Sequence, residues 1–148
     1  DDNTHEAVCV IDLDTIMPGS LLFDYGDAIR YCANKGSEDD VNLDNVKFDF
    51  NKFVAFTYGF MEETYQSLTP NELKLMCKAP LVLTYELALR FLTDYLNGNT
   101  YFKCDPTRKD HNLERTRAQL KLLKEFEQNE EKMRNAIYSI YYKCLNNK

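Results

Sequence analysis

Two acidic side chains, Asp12 and Asp14, close the apolar run Ala7-Val8-Cys9-Val10-Ile11. In an extended chain, alternation sends both carboxylates to one face and Leu13 to the other. Two such oxygen donors at a strand end suit a hard divalent cation, and a Mg²⁺ held there could bridge nucleotide phosphates. A turn cap beside a solvated carboxylate would leave the same short string. The two histidines, His5 and His111, stand at no spacing to a Ser or Cys that suggests a triad. His5 reads as a solvated turn residue and His111 as a cap or surface group ahead of a helix. Arg90 sits among Leu87, Leu89, Phe91 and Leu92, so its head needs a carboxylate or ligand partner. Tyr101 reads, taken alone, as a packing aromatic. Asp94 is placed on a helix surface and Tyr95 toward a core.

The elements that must position these groups are mainly helical. The residue 7–11 run predicts a strand that has no convincing partner elsewhere in the chain, and Pro18-Gly19 marks a turn. A short helix is predicted over residues 27–33, then a polar loop over 34–45. Residues 48–67 place Phe50, Phe53, Val54, Phe60 and Met61 at helical spacing. Thr69-Pro70-Asn71-Glu72 carries the signature of a capping box with proline in the first turn. That helix is expected to reach residue 77, and another to run from residue 79 or 80 to 96, stopped by Asn97-Gly98-Asn99. Residues 101–110 read as a loop. A last helix over residues 111–145 bears Leu113, Leu120, Leu123, Phe126, Met133, Ile137 and Ile140 as its apolar stripe. The acidic patch at residues 127–131 is expected to bend or break it. The fold class is therefore mainly α with a short N-terminal β element.

Bulk properties narrow the function. The chain has 148 residues, enough for one domain, with 18 Lys plus Arg against 24 Asp plus Glu and a net charge of −6. The absence of a basic block argues against a nucleic-acid partner. No apolar run approaches membrane-spanning length. Five widely spaced cysteines without a C-x-x-C pair read as reduced thiols, and hence as a cytoplasmic setting.

A resemblance adds to this reading. Val10-Ile11-Asp12-Leu13-Asp14-Thr15, Pro18-Gly19 and Phe23-Asp24-Tyr25-Gly26-Asp27-Ala28-Ile29-Arg30 resemble the aminoglycoside phosphotransferase and choline kinase superfamily. The segment from Leu89 to Gly98, then Tyr101-Phe102-Lys103 and His111-Asn112-Leu113-Glu114-Arg115, is similar to the N-acetylhexosamine 1-kinases within it. The likeness runs from about residue 8 to 127. Some relatives carry a mucin-desulfating label, although nothing in these residues resembles a sulfatase nucleophile site.

The resemblance implies an ATP-dependent, Mg²⁺-assisted transfer of phosphate to the anomeric hydroxyl of an N-acetylhexosamine. It makes Asp12 a metal ligand and Asp14 a second acidic position near the metal. Asp27 becomes the helix-opening brace of a catalytic loop, and Arg90 and Tyr101 become sugar contacts. It also implies a kinase-like α+β fold of which these residues form the helical C-terminal lobe. No His-x-Asp-x-x-x-x-Asn precedes Asp12, and neither a Gly-rich loop nor a nucleotide-pairing Lys is present. The catalytic base is thus expected upstream of Asp1, and the chain alone is expected to be inactive. A choline- or aminoglycoside-type kinase and a non-catalytic helical binding module are the alternatives.

Overall fold

The computed structural model describes residue 4, residue 6 and residues 8–146. His5 lies outside the described residues. Five α-helices follow one another: α1 (Leu21–Cys32), α2 (Phe50–Thr64), α3 (Pro70–Leu75), α4 (Ala79–Leu96) and α5 (His111–Asn146), with a 3₁₀ turn over Met76–Lys78 between α3 and α4. The mainly helical class is as the periodicity predicts. The N-terminal β element is not formed among the described residues. Val8, Val10, Ile11 and Leu13 lie exposed without regular structure. The reason is the one visible in the sequence: an apolar run becomes a strand only when another strand satisfies its backbone. The single β pairing among the described residues is an isolated bridge between Asn34 and Phe48.

Helix α1 begins six residues earlier than predicted. Ser20 caps it by accepting from the Leu22 N–H at 3.3 Å, and its hydroxyl donates to Glu72 Oε1 at 2.7 Å. Glu72 meanwhile completes the capping box with Thr69 at the start of α3. One carboxylate therefore ties two helix starts together. Asp27, consequently, lies within the body of α1 rather than opening it.

The core forms where α4 packs on α1 and α5, and α2 closes over α5. Tyr25, Ile29, Phe53, Met61, Leu122, Phe126, Met133 and Ile137 are buried. A fully buried side chain of this size stabilises the fold by about 1.5–3 kcal/mol. Phe126 meets Phe48 edge-on at 5.3 Å between ring centroids. The Tyr25 hydroxyl shares a hydrogen bond of 2.8 Å with Thr57 Oγ1. Burial pushes this phenol well above its ordinary range, and the Thr57 bond offsets only part of that.

Helix α5 runs unbroken for 36 residues, about 54 Å at 1.5 Å per residue. The acidic patch does not interrupt it, and one of its charges is answered from outside the helix. Glu130 pairs with Lys78 of the neighbouring 3₁₀ turn and with Arg134 one helical turn on. Asn129 Nδ2 donates to the Glu125 carbonyl at 2.8 Å. The buried stripe uses Ala118 and Leu122 where Leu120 had been expected, and Leu120 is exposed.

Helices α1 and α4 approach closely at Gly26. A Cβ built there would lie 2.8 Å from the backbone carbonyl carbon of Ala79, while one at Gly59 on α2 would meet nothing within 4 Å. The two glycines should therefore respond to alanine with opposite signs. Gly26→Ala is expected to destabilise by about 1–3 kcal/mol through overpacking against backbone. Gly59→Ala is expected to stabilise by about 0.5–1 kcal/mol through helix propensity. Urea unfolding of both variants checks the pair, and a shift of equal sign would show the α1–α4 contact to be loose.

Candidate functional site

The end of α4 organises the strongest candidate site. After Leu96 the chain turns through Asn97, Gly98 (φ 86°) and Asn99 (φ 60°). Glycine suits the left-handed region, and asparagine tolerates it better than most residues. The turn brings the next three backbone N–H groups back over Asp94. Its Oδ1 accepts from Thr100 N at 2.9 Å and Tyr101 N at 2.8 Å. Its Oδ2 accepts from Phe102 N at 3.0 Å and from Asn112 Nδ2 at 2.8 Å. Asn112 also donates to Asn99 Oδ1 at 3.0 Å, so the second residue of α5 buttresses the turn. Asp94 is 4% exposed. Burial by itself would raise its carboxyl, but the donors from Phe102, Tyr101, Thr100 and Asn112 outweigh this and hold it below the usual range.

This placement reverses the expectation for the pair. Asp94 is buried, and Tyr95 is half-exposed with its hydroxyl donating to Asp110 Oδ1 at 3.1 Å. A signal for Asp94 existed in the sequence. An acidic residue in the last turn of a helix opposes the macrodipole and asks for a compensating partner.

Held this way, the loop delivers Tyr101 to Arg90. Arg90 Nη2 donates to the Tyr101 hydroxyl at 3.3 Å. The guanidinium carbon lies 5.6 Å from the Tyr101 ring centroid and 5.3 Å from that of Phe102. Phe102 packs on Phe91 with centroids 4.7 Å apart. Glu86, one turn before Arg90, pairs with it at 3.6 Å. Arg90 and Tyr101 thus share one wall of an open cavity of about 460 Å³, with Thr93, Asn97 and Phe102. The cavity offers a cationic donor, a phenolic hydroxyl and aromatic faces, groups that can make hydrogen bonds and apolar contacts to a small polar ligand.

Asp12, Asp14 and Asp27 are not part of that wall. Asp12 and Asp14 are both exposed, and Asp12 sits at φ 63°, so the strand alternation that would align them is not present. Among the described residues no cluster of three or more His, Cys, Asp or Glu side chains could hold a metal ion. Two exposed carboxylates nevertheless fit the way Mg²⁺ is held, by one or two protein oxygens with water and phosphate completing the shell. Asp27 is exposed and accepts from Arg30 Nε at 2.8 Å.

His111 also departs from expectation. It is buried at the start of α5 rather than on the surface. Its Nδ1 accepts from the Asp105 N–H at 2.9 Å, so the remaining ring proton belongs on Nε2, which lies 3.0 Å from Asp39 Oδ2. Arg108 joins the same carboxylate at 2.7 Å and Glu114 at 2.6 Å. The cluster clasps the 34–48 loop to the head of α5. Burial would raise the Asp39 carboxyl, but hydrogen bonds from His111, Arg108 and Ser37 win and lower it to about 2. All five cysteines are free thiols. No helix among the described residues is long and apolar enough to cross a membrane. No family model matches the chain.

Two measurements check these locks. In Asp94→Asn the amides of residues 100–102 lose their charged acceptor and should exchange with solvent at least about tenfold faster, while those of the α5 core keep their protection. Hydrogen exchange resolved by residue reads both. The second concerns acid. A depressed folded-state pKa contributes stability that is fully present above the unfolded value and is lost as pH falls through the folded one. Asp39 drops from 3.8 to about 2, so its contribution should be intact above about pH 4 and disappear toward about pH 2. Asp39→Asn is expected to lower the urea midpoint near pH 5 and to flatten its further fall on acidification.

Proposed function

We propose that this chain is the helical, acceptor-binding lobe of an ATP-dependent sugar kinase that phosphorylates the anomeric hydroxyl of an N-acetylhexosamine. The observation that carries the reading is the meeting of Arg90 and Tyr101 at 3.3 Å on one cavity wall. These are the two residues that the kinase resemblance assigns to the sugar, and they come from separate elements eleven positions apart in sequence. Arg90 would donate to ring substituents, and Tyr101 would offer an apolar face to the ring and its hydroxyl to a polar edge. Asp94 touches no substrate in this reading and acts by positioning Tyr101.

Asp12, with Asp14 beside it, would hold a Mg²⁺ ion, which when bound supplies charge neutralisation to the transferred phosphate. Asp27 would brace the loop that carries the base. Removal of the sugar proton and the grip on the nucleotide need groups these residues do not supply, so the isolated chain is proposed to turn over no ATP. The free thiols suit a reducing, cytoplasmic setting.

A choline- or aminoglycoside-type kinase is disfavoured by the wall itself, because a cationic acceptor would face the Arg90 guanidinium. A non-catalytic helical module needs no such convergence.

The test uses the enzyme in which this lobe is joined to a nucleotide-gripping lobe. Arg90→Ala should lower kcat/KM for N-acetylglucosamine by about 10- to 1000-fold, the range for losing a charge-assisted hydrogen bond together with some positioning. The KM for ATP should hardly move. Asp12→Ala should abolish turnover with the fold retained. An Arg90→Ala enzyme with unchanged sugar kinetics would remove the sugar-contact role, and near-normal turnover in Asp12→Asn would remove the metal role.

A further inference from the structure

A second cavity, of about 680 Å³, lies between the end of α1, the loop after it, the start of α2 and the first turns of α5. It shares no lining residue with the Arg90–Tyr101 cavity. Its volume falls within the range of about 300–1,000 Å³ seen for small-molecule sites.

The charges on its wall do not cancel. Arg30, Lys35, Lys52 and Arg115 line it against two carboxylates, Glu38 and Asp39. Both carboxylates are already engaged. Glu38 accepts from Arg30 at 2.7 Å, and Asp39 is held by Arg108 and His111 from outside the cavity wall. Arg30 is further pinned by Asp27 at 2.8 Å. Among the described residues no carboxylate pairs with the other three cations. Lys35 and Lys52 are exposed at the rim, and Arg115 bonds only to neutral oxygens, the Lys103 carbonyl and Asn112 Oδ1, both at 3.2 Å. In a chain of net charge −6, this is a local surplus of positive charge around a concave surface.

Two buried polar atoms of residues that line the cavity are also unsatisfied. Arg115 Nε has no acceptor and Gln119 Oε1 has no donor. Gln119 is 1% exposed, so bulk water does not solvate it, and an orphaned buried polar group costs stability that natural proteins rarely accept without a reason. The two atoms ask for different things. Arg115 Nε needs an acceptor, which an anion supplies. Gln119 Oε1 needs a donor, which a bare anion lacks and a hydroxyl provides.

We propose that this cavity is a binding site for a polyhydroxylated anion, of the class of sugar phosphates and sugar acids. Lys35, Lys52 and Arg115 would take the anionic group, and Gln119, its amide turned toward the cavity, would accept from a ring or chain hydroxyl. The site stands apart from the Arg90–Tyr101 cavity and does not depend on the kinase reading.

Calorimetric titration of the 148-residue chain tests it, with glucose 6-phosphate, gluconate, glucose and inorganic phosphate as separate probes. Glucose 6-phosphate or gluconate is expected to bind at least about tenfold more tightly than glucose and inorganic phosphate, and which of the two binds identifies the anion as phosphate ester or carboxylate. The double variant Lys35→Ala/Lys52→Ala, both at exposed positions, should weaken that binding by about tenfold to a hundredfold, the scale of lost charge-assisted bonds. Gln119→Met should narrow the advantage over inorganic phosphate. Arg90→Ala should leave it unchanged. Absence of binding by both hydroxylated anions would overturn the proposal. So would inorganic phosphate binding as tightly as they do, indifference to the double lysine variant, or loss of binding in Arg90→Ala.

Discussion

A single carboxylate governs the geometry at the end of α4. Asp94 accepts four hydrogen bonds, three from consecutive backbone N–H groups and one from Asn112. Without it, three N–H groups and the turn that presents them would need other acceptors. With it, the loop has one conformation, Phe102 is laid on Phe91, and Tyr101 reaches Arg90. The bond to Asn112 matters equally, because Asn112 belongs to α5. The carboxylate thus joins the α4–α5 packing, the broadest helix contact in the fold, to the cavity at its edge. The charge stays ionised in a buried place because every donor around it favours the anion.

The same device recurs at the other end of the α5 head. Asp39, carried by a loop, is captured by Arg108 and His111, which closes a long polar connection against a helix start. The consequences for the two cavities differ. Around Asp94 the charges are matched, and the cavity beside it presents a phenol, aromatic faces and one arginine. Around Asp39 the acid is engaged from outside, and Lys35, Lys52 and Arg115 on the adjoining wall have no ion pair among the described residues. Phe91 stands between these neighbourhoods, with Arg115 5.2 Å from its ring centroid on one account and Phe102 packed on it on the other.

Local signals were legible wherever the chemistry was local. The Thr69–Glu72 capping box starts α3 as written, and Asn97-Gly98-Asn99 ends α4 through left-handed conformations. The α5 stripe from Phe126 to Ile140 is buried as its spacing requires. Errors arose where a distant residue decided. Helix α1 starts at Leu21 because Ser20 is fixed by Glu72, fifty-two positions away. The acidic stretch of α5 stays helical, with Lys78 of the 3₁₀ turn answering Glu130. His111 is buried because Asp39 and Asp105 both reach it.

The candidate residues divide along the same line. Sequence by itself determined the helical class, most helix ends, the lone apolar run before Asp12 and the identity of Arg90 and Tyr101 as residues worth watching, since these follow from periodicity, capping chemistry and motif. Only the tertiary structure decided that Arg90 and Tyr101 meet, that Asp94 is a buried lock rather than a surface acid, that the residue 8–11 run stays unpaired, and that a second cavity keeps Lys35, Lys52 and Arg115 with no ion pair among the described residues. Each of those outcomes depends on which groups are brought together across long sequence separations. A hydrogen bond or an ion pair has a partner as well as a donor, and spacing along one segment cannot name it.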